Sequence, residues 1–284
     1  MTDRTAVVTD STACLSAPAA EEAAVTIVPL QVVIGVDSYT EGTAQARSQL
    51  LEALWRKQPA STSRPSPEQF AAHYRALAEG GATGIVSVHL SGNLSATYES
   101  ALLAAAGSPI PVKVVDSRSV GMGLGFAALA AGRAAQAGRS VAECAEVAAK
   151  RAGLTSAFFY VDTLEYLRRG GRISSTKAIV GSALAVKPLL HLVDGKVELL
   201  EKVRTSIRAI ARLEQLVLDR AGEDKVDVAV HHLASLPRAE LLAEQLRPHL
   251  PGLGELTVAE VGAVLGAHAG PGLLGVVVSP RLSS

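Results

Sequence analysis

The sequence shows no excess of either charge and few residues that form covalent cross-links. Its 27 Lys and Arg residues balance 27 Asp and Glu residues. We therefore expect no broad attraction to nucleic acid, which needs a concentrated positive field. Only two cysteines occur, Cys14 and Cys144, and they form neither a disulfide framework nor the spacing of a metal site. We expect no bound metal.

Long apolar runs are also missing. No stretch approaches the roughly 18 apolar residues of a membrane-spanning helix. The start of the chain, MTDRTAVVTD, is acidic and polar where a signal peptide needs an apolar run. These absences favour a protein of the reducing cytoplasm.

Three common signatures of catalysis are absent as well. The chain contains no G-x-x-x-x-G-K-[ST] phosphate loop, no H-E-x-x-H zinc helix and no G-x-S-x-G nucleophile elbow. The run GMGLG at 121–125 lacks the spacing of a dinucleotide fingerprint, and we expect it to let a helix start pack close to a strand. We therefore expect no cofactor.

Aromatic residues make up only 4% of a chain that is 48% hydrophobic and 284 residues long. Ala, Leu and Val therefore supply most of the apolar mass. Such a composition is typical of an ordinary α/β core, and it also suits a cavity lined by alkyl groups. Composition alone leaves both interpretations open.

The first half of the chain alternates β-type runs with amphipathic helical patterns. Capping signals predict helix starts at Ser66, Ser140 and Asp162, each followed three residues later by Gln or Glu. The alternation predicts a mostly parallel sheet with helices on both faces, which binds ligands beyond the carboxyl ends of its strands. The predicted strands are Thr5–Thr9, Val25–Val36, Gly84–His89, Val112–Asp116 and Ser156–Tyr160.

The second half of the chain has a different pattern of predicted strands and helices. Two apolar runs, Leu189–Val193 and Lys196–Val203, flank Asp194-Gly195, a dipeptide that predicts a two-residue hairpin turn because it tolerates positive φ. The change of pattern predicts an N-terminal α/β domain at 1–152 and a C-terminal α+β domain at 153–284. The other elements predicted here are a helix at Ser206–Arg220 and strands at Val226–His232, Glu255–Val261 and Leu274–Val278.

Two polar segments lie where early strands are predicted to end. In VVTDSTACL, at 7–15, a strand leads into Asp10 and Ser11. In TSRPSPEQF, at 62–70, Thr62 and Ser63 precede a loop stiffened by prolines on both sides of Ser66, which holds its hydroxyl groups at little further entropic cost. Ordinary turn and helix-capping chemistry is the alternative explanation for each segment.

Two further polar segments occur later in the chain. In HLSGNLSATYESA, at 89–101, His89 ends a strand, Asn93 lies in a loop and Ser95 begins a helix, whose unsatisfied N–H groups favour an anion. A simple N-cap is the alternative role for Ser95. In GAHAGPG, at 266–272, glycines surround His268 and allow close backbone approach. A packed core histidine is the alternative there.

Charge is unevenly distributed along this neutral chain. Between Tyr166 and Arg212 there are ten Lys or Arg residues and three Asp or Glu residues, a local excess of +7. This segment is either a solvated face or a docking surface for an acidic partner protein, an anionic membrane or a phosphorylated substrate.

These segments, in this order, resemble the DegV family of bacterial fatty-acid-binding proteins, the partners of fatty acid kinase. VVTDSTACL resembles the family's opening D-S-T strand end, TSRPS its T-S-Q-P-S, and NLSATYESA its L-S-G-T-Y helix start. The resemblance covers nearly the whole chain. The other matching segments are VPLQVVIGVDSYTEG at 28–42, YLRRGGRIS at 166–174, EKVRT at 201–205 and GAHAGPG.

The resemblance implies two α/β domains with one long-chain fatty acid in a buried apolar tunnel between or within them. It implies that Thr62 and Ser95 hold the carboxylate and that His268 belongs to the same polar network. A kinase would phosphorylate the presented acid to an acyl phosphate for phospholipid synthesis. The chain itself would be a lipid carrier that contacts a membrane surface only transiently.

Further residues are assigned roles by the same resemblance. A supporting polar network is expected at Asp10, Ser11, Ser63 and Asn93, and docking of the kinase at Arg172 and Arg204. Three positions depart from the family's pattern: Arg64 replaces the usual Gln, Ala96 the usual Gly, and Gly92 lies where Ser is common. Arg64 adds a positive charge to the expected headgroup environment.

Two other functions remain possible from the residues alone. Ser95, His268 and Asp10 supply the residue types of a serine hydrolase or acyltransferase, although no nucleophile elbow surrounds Ser95. A regulatory module that binds a small anion such as phosphate is the third interpretation.

Overall fold

The protein is described from a computed structural model that covers residues 4–173 and 187–282. The strands are β1 (Thr5–Asp10), β2 (Val25–Val28), β3 (Gln31–Ile34), β4 (Asp37–Thr40), β5 (Ala60–Ser63), β6 (Gly84–His89), β7 (Val112–Asp116), β8 (Ser156–Tyr160), β9 (Lys187–Val193), β10 (Lys196–Val203), β11 (Val226–His232), β12 (Leu253–Glu260) and β13 (Leu274–Pro280). The α-helices are α1 (Ala17–Glu22), α2 (Ala44–Trp55), α3 (Pro67–Glu79), α4 (Thr97–Ala105), α5 (Met122–Gln136), α6 (Val141–Leu154), α7 (Glu165–Arg169), α8 (Ser206–Ala221), α9 (Leu236–Leu246) and α10 (Ala263–Ala269).

The first sheet is parallel, with its strands in the order β2-β1-β6-β7. Its strands are apolar on both faces because helices cover both faces. Val7 of β1 packs with α5 and α6, whereas the next residue, Val8, packs with Phe70 and Tyr74 of α3. The predicted parallel sheet flanked by helices is confirmed in this half of the chain.

The second sheet is mixed, with the order β10-β9-β8-β13-β11-β12 and a parallel β11–β12 pair. Helices α8 and α9 cover one face through Leu213 and Leu242. On the opposite face, Ala229 and Val277 join the core built by α5 and α6. These two helices therefore lie between the first and second sheets. The mixed C-terminal sheet confirms the α/β fold class predicted from the sequence.

A small antiparallel sheet, β4-β3-β5, is the third. Val32 of β3 packs with Leu50 and Leu54 of α2. This sheet places Thr62, on β5, beside His268, on α10. Two residues that are 206 positions apart in the sequence are thereby brought into contact.

The single strand predicted at Val25–Val36 is wrong. The segment forms two strands that belong to different sheets, β2 in the first and β3 in the third. The chain leaves the first sheet at Pro29, which has no N–H to continue a ladder. The next residue, Leu30, donates its N–H to Ser11 Oγ at 3.0 Å instead of to a strand.

Local signals gave mixed results. The hairpin at Asp194-Gly195 is confirmed, because both residues have positive φ and Lys196 pairs with Val193. Reciprocal capping boxes are present at Ser66 and Ser140. The capping box predicted at Asp162 is wrong: α7 begins at Glu165 after Leu164, and Asp162 binds Lys187 instead.

The chain passes from the first sheet to the second between α6 and β8. The predicted domain boundary at 152/153 falls within the last turn of α6. The division into two domains stays a proposal. Within residues 4–173 and 187–282, no helix is both long enough and apolar enough to span a bilayer.

A buried ion pair joins α6 to the second sheet. Arg151 Nη2 lies 2.7 Å from Asp227 Oδ2, and both side chains are less than 10% exposed. Arg281 also binds Asp227, at 2.6 Å. Burial by itself would raise the pKa of Asp227, but the hydrogen bonds from Arg281 and Arg151 lower it overall. Asp227 therefore neutralises the positive charge of Arg151, which is largely shielded from water.

We expect Asp227→Ala to reduce the free energy of unfolding by about 3–5 kcal/mol, because it leaves Arg151 buried without its carboxylate. The measurement is urea denaturation. The matched control is Glu52→Ala, which removes the exposed partner of Arg56 and should change the free energy of unfolding by no more than about 0.5 kcal/mol. Similar effects of the two substitutions would contradict this role of the ion pair.

Candidate functional site

A cavity of about 220 Å³ lies between the second sheet and the loops that follow the first sheet. Its floor includes Ala157 and Phe159 of β8, which pair directly with Val277 and Gly275 of β13. Directly paired residues point to the same face of a sheet. Gly275 contributes no side chain there, so the floor is hollow between its bulkier neighbours.

The opposite wall comes from several segments. Helix α10 contributes Val264, Leu265 and His268, and the loop after β6 contributes Leu90 and Leu94. The lining is mainly aliphatic. A water-sized sphere needs roughly 10–15 Å³ on this measure, so 220 Å³ accommodates roughly 15–22 atoms of that size. An apolar molecule of about this number of heavy atoms fits the volume.

Polar side chains lie together in the wall of the cavity. Thr62 Oγ1 and His268 Nε2 are 2.9 Å apart, and both residues line the cavity together with Ser95. Burial lowers the pKa of His268 to about 4, and the nearby positive charge of Arg172 acts in the same direction. The imidazole is therefore neutral near pH 7. The structure brings Thr62, Ser95 and His268 to one cavity, and their role in holding a carboxylate stays a prediction.

Ser95 does not begin a helix. Helix α4 starts at Thr97, and Ala96 is its N-terminal flanking residue without a side-chain cap. Ser95 Oγ accepts a hydrogen bond from the Thr97 N–H at 3.3 Å and lies 2.9 Å from Thr97 Oγ1. The prediction of Ser95 as the first helical residue or N-cap is wrong by one to two positions, but the hydroxyl still lines the cavity.

Glycines let α7 and α10 approach each other. A Cβ at Gly170 would overlap His268 Nδ1, and a Cβ at Gly270 would overlap the ring of Tyr166. Gly270 also has a φ of +77°, which disfavours any other residue. Gly170 of YLRRGGRIS therefore leaves room for the His268 ring, and Gly270 of GAHAGPG leaves room for the Tyr166 ring. Ser174, the last residue of the first motif, lies outside the described residues.

The two arginines expected to dock a partner lie in different surroundings. Arg172 lines the cavity, and its Nε donates to the Leu94 carbonyl at 3.0 Å. Arg204 is exposed and follows the end of β10. Because Ile173 pairs with Val197 near the start of β10, the two arginines are separated by roughly 20 Å along the strand. Docking by these residues stays a prediction.

The supporting network does not form one cluster. Asp10 is fully buried and accepts hydrogen bonds from the Leu90 N–H at 2.9 Å and from His89 Nδ1 at 3.0 Å. Asn93 donates to the Asp194 carbonyl at 2.9 Å and so holds the β9–β10 turn. Ser63 is exposed, and its hydroxyl donates only to the Arg64 carbonyl, at 3.4 Å, within the described residues. None of these three side chains lines the cavity.

The catalytic triad considered for a hydrolase is not assembled. Asp10 orients His89, not His268, and the described partner of His268 is Thr62, not Ser95. His89 Nε2 in turn lies 2.7 Å from Ser87 Oγ. This Ser–His–Asp series resembles a triad, but all three residues are 0% exposed. A substrate has no access to it, and its role is to link β1 with β6.

Glu41 is a buried residue that the sequence analysis did not select. Its Oε1 accepts the Val264 N–H, in the first turn of α10, at 2.8 Å, and its Oε2 accepts a hydrogen bond from the Ser11 hydroxyl. Glu41 therefore ties the start of the helix that carries His268 to the end of β1. Its only signal in the sequence was membership of the segment VPLQVVIGVDSYTEG. Ser11, which we predicted to belong to the supporting network, is part of this connection between β1 and α10.

The charged residues outside the cavity are partly paired with one another. In the basic segment 166–212, residues 174–186 lie outside the described residues. In the rest of it, Lys187 binds Asp162 at 3.0 Å and Arg212 binds Glu201 at 2.7 Å, so part of the excess charge is compensated. In the part of the chain that the structure describes, no group of three or more His, Cys, Asp or Glu residues is arranged to hold a metal ion.

Comparisons with known proteins give a consistent relationship. The sequence matches the family model described as "Uncharacterised protein, DegV family" over residues 4–281. A DegV domain-containing protein of Streptomyces coelicolor is 57% identical over 281 residues, covering 99% of this chain and 100% of that protein. One from Mycobacterium tuberculosis is 40% identical over 273 residues, covering 96% of each.

Solved structures are similar over the same length. A DegV family protein from Thermus thermophilus, described by its fatty acid binding, has a TM-score of 0.91 and 30% identity. DegV from Bacillus subtilis, described as a fatty acid binding protein, has a TM-score of 0.89 and 32% identity. Each similarity covers 98% of this chain and 100% of the other.

The buried position of Glu41 predicts a pH-dependent stability. Burial raises its pKa from the ordinary 4.5 to about 7, although the hydrogen bonds from Ser11 and Val264 lower it in part. Between pH 4.5 and about pH 7, the folded state therefore binds more protons at Glu41 than the unfolded state does. The free energy of unfolding therefore falls as pH rises from about 4.5 to about 7, by up to roughly 3 kcal/mol from this residue.

Glu41→Gln has no proton to lose, so its stability relative to the unsubstituted protein should rise across this pH window and be constant above it. Urea denaturation of both proteins at several pH values provides the measurement. Parallel stability curves throughout the window would show that Glu41 does not titrate there.

Proposed function

The chain belongs to the DegV family, and on this basis we propose that it binds one long-chain fatty acid in the cavity and presents the carboxylate to a fatty acid kinase. The observation that carries the proposal is an aliphatic cavity of about 220 Å³ with a cluster of hydroxyl and imidazole groups in its wall. The fatty-acid-binding relatives from Thermus thermophilus and Bacillus subtilis support the choice of ligand.

The alkyl chain supplies most of the binding energy in this proposal. Burial of each CH₂ group is worth about 0.8 kcal/mol, so a chain of about 16 carbons offers roughly 12 kcal/mol before the costs of association. The aliphatic lining has few polar groups that such a chain would leave unsatisfied. An Asp or Glu side chain would repel a carboxylate, and the described lining contains neither.

The polar cluster fixes the orientation of the acid. In the tautomer with hydrogen on Nε2, His268 donates to Thr62 Oγ1, and the Thr62 hydroxyl hydrogen remains free for the ligand. We assign this tautomer, which agrees with a histidine that is neutral near pH 7. Ser95 donates the second hydrogen bond to the carboxylate. Each such bond to a charged group is worth roughly 1.5–3 kcal/mol.

The role of carrier follows from this orientation. The headgroup lies beside Arg64, which is exposed, so a partner protein reaches the carboxylate from outside. A carboxylate oxygen attacks the γ-phosphorus of ATP on the kinase, and the bond to ADP breaks. The acyl phosphate formed serves phospholipid synthesis. We place the protein in the cytoplasm, with Arg172 and Arg204 as kinase-docking residues and with transient membrane contact.

We expect mass spectrometry of the native protein to detect about one long-chain fatty acid per chain. Thr62→Ala combined with Ser95→Ala should weaken retention of that acid by roughly 100-fold or more, because two hydrogen bonds to a charged group are lost. Ser63→Ala is the matched control, since Ser63 is a neighbouring but exposed hydroxyl.

Circular dichroism should show the same fold for all three proteins. An unchanged lipid content in the Thr62 and Ser95 double variant would reject the proposed clamp. A native protein without any fatty acid, and unable to take one up, would reject the function itself.

A further inference from the structure

The charges that line the cavity are unbalanced. Arg64 and Arg172 both contribute to its wall, and no Asp or Glu does so among the described lining residues. Neither arginine forms an ion pair with any residue in the described ranges 4–173 and 187–282. As far as these ranges show, the cavity wall carries two cations without a carboxylate partner, while His268 is neutral near pH 7.

Both guanidinium groups are anchored around Ser95. Arg64 Nε donates to Ser100 Oγ of α4 at 3.1 Å. Arg172 Nε donates to the carbonyl of Leu94 at 3.0 Å, and its Nη1 donates to the Gly170 carbonyl. One arginine is thus fixed before the Ser95 position and the other after it. These anchors reduce the entropy that each long side chain would lose on binding a ligand.

The same two arginines adjoin the Thr62–His268 pair. Arg64 follows Thr62 by two residues at the end of β5, and the positive charge of Arg172 is felt by His268. The cations and the hydroxyl groups therefore form one polar region of the cavity. Each guanidinium has N–H groups beyond those used for its anchor, and these groups are oriented by the planar geometry of the side chain.

The charge of this region exceeds what a carboxylate neutralises. An ionised carboxylate carries one negative charge, whereas a phosphate monoester carries about −1.5 to −2 at pH 7. Two guanidinium groups match the planar oxygen pairs of a phosphate through charge-assisted hydrogen bonds. Burial lowers the pKa of Arg172, which indicates a poorly solvated cation that gains from an anionic partner.

We propose that Arg64, together with Arg172, binds the phosphate of a long-chain acyl phosphate, so that this chain holds the phosphorylated acid more tightly than the free fatty acid. The proposal rests on the proposed function, because it assigns the headgroup of the same cavity. It gives Arg64, a departure from the Gln of the family's T-S-Q-P-S pattern, a specific role: retention of the product until it is transferred onward.

The test uses the full-length protein stripped of lipid and two ligands of equal chain length. Hexadecyl phosphate serves as the stable phosphate probe and palmitate as the carboxylate probe, each measured by displacement of a fluorescent fatty acid below its micelle concentration. We expect the unsubstituted protein to bind hexadecyl phosphate at least about ten-fold more tightly than palmitate.

Arg64→Gln should raise the Kd for hexadecyl phosphate by about ten-fold or more and that for palmitate by less than about three-fold. It retains a side-chain amide that can reach Ser100 but loses the charge. Arg75→Gln, at an exposed position on α3, is the control and should alter neither Kd.

Two results would overturn the inference while leaving the proposed function intact: an equal change for both ligands, or no change for either, in the Arg64→Gln protein. Failure of the unsubstituted protein to bind palmitate would instead refute the proposed function, and the inference with it. A preference for the phosphate that disappears only in Arg64→Gln supports the inference.

Discussion

Helix α10 is held at both of its ends by side chains from other segments, and its position decides where His268 lies. At its start, Glu41 accepts the Val264 N–H and is itself bound to Ser11. At its end, Gly270 packs against the Tyr166 ring. A short helix of seven residues has little stability of its own. Its geometry is therefore set by these contacts, and so is the geometry of the Thr62–His268 pair.

The cavity combines two environments that are usually separate in a folded protein. Its floor is one face of the mixed sheet, with no side chain at Gly275. Its polar side chains come from β5, from the loop after β6 and from α10, which carry Thr62, Ser95 and His268. Burial keeps His268 neutral, while Arg64 and Arg172 remain charged. A chain that is neutral overall thus contains a locally positive region next to aliphatic walls, which is the combination that an amphipathic anion needs.

Some short-range signals in the sequence predicted local structure correctly. Asp194-Gly195 specified the hairpin turn, and Ser66 and Ser140 specified helix starts, because these motifs act through neighbouring backbone groups. The strand break at Pro29 was missed because β2 and β3 are separated by their pairing with distant strands. Secondary-structure patterns contain no information on such partners.

The candidate site was predicted in part. Thr62, Ser95 and His268 were selected because their motifs matched a known family, and the structure brings them to one cavity. Glu41 has no local signal, since its burial depends on Val264, 223 positions away. The histidine partner of Asp10 could not be identified from the sequence for a similar reason, since it is His89 of the adjacent strand. The β9–β10 turn contacts the loop that follows β6. The side chains of Ser91 and Asn93 donate hydrogen bonds to the carbonyl groups of Gly195 and Asp194. A side chain at Gly195 would overlap the Ser91 hydroxyl. The hairpin tip is therefore bound directly to the loop that precedes Ser95, and an insertion at this tip would break the hydrogen bonds that join the two.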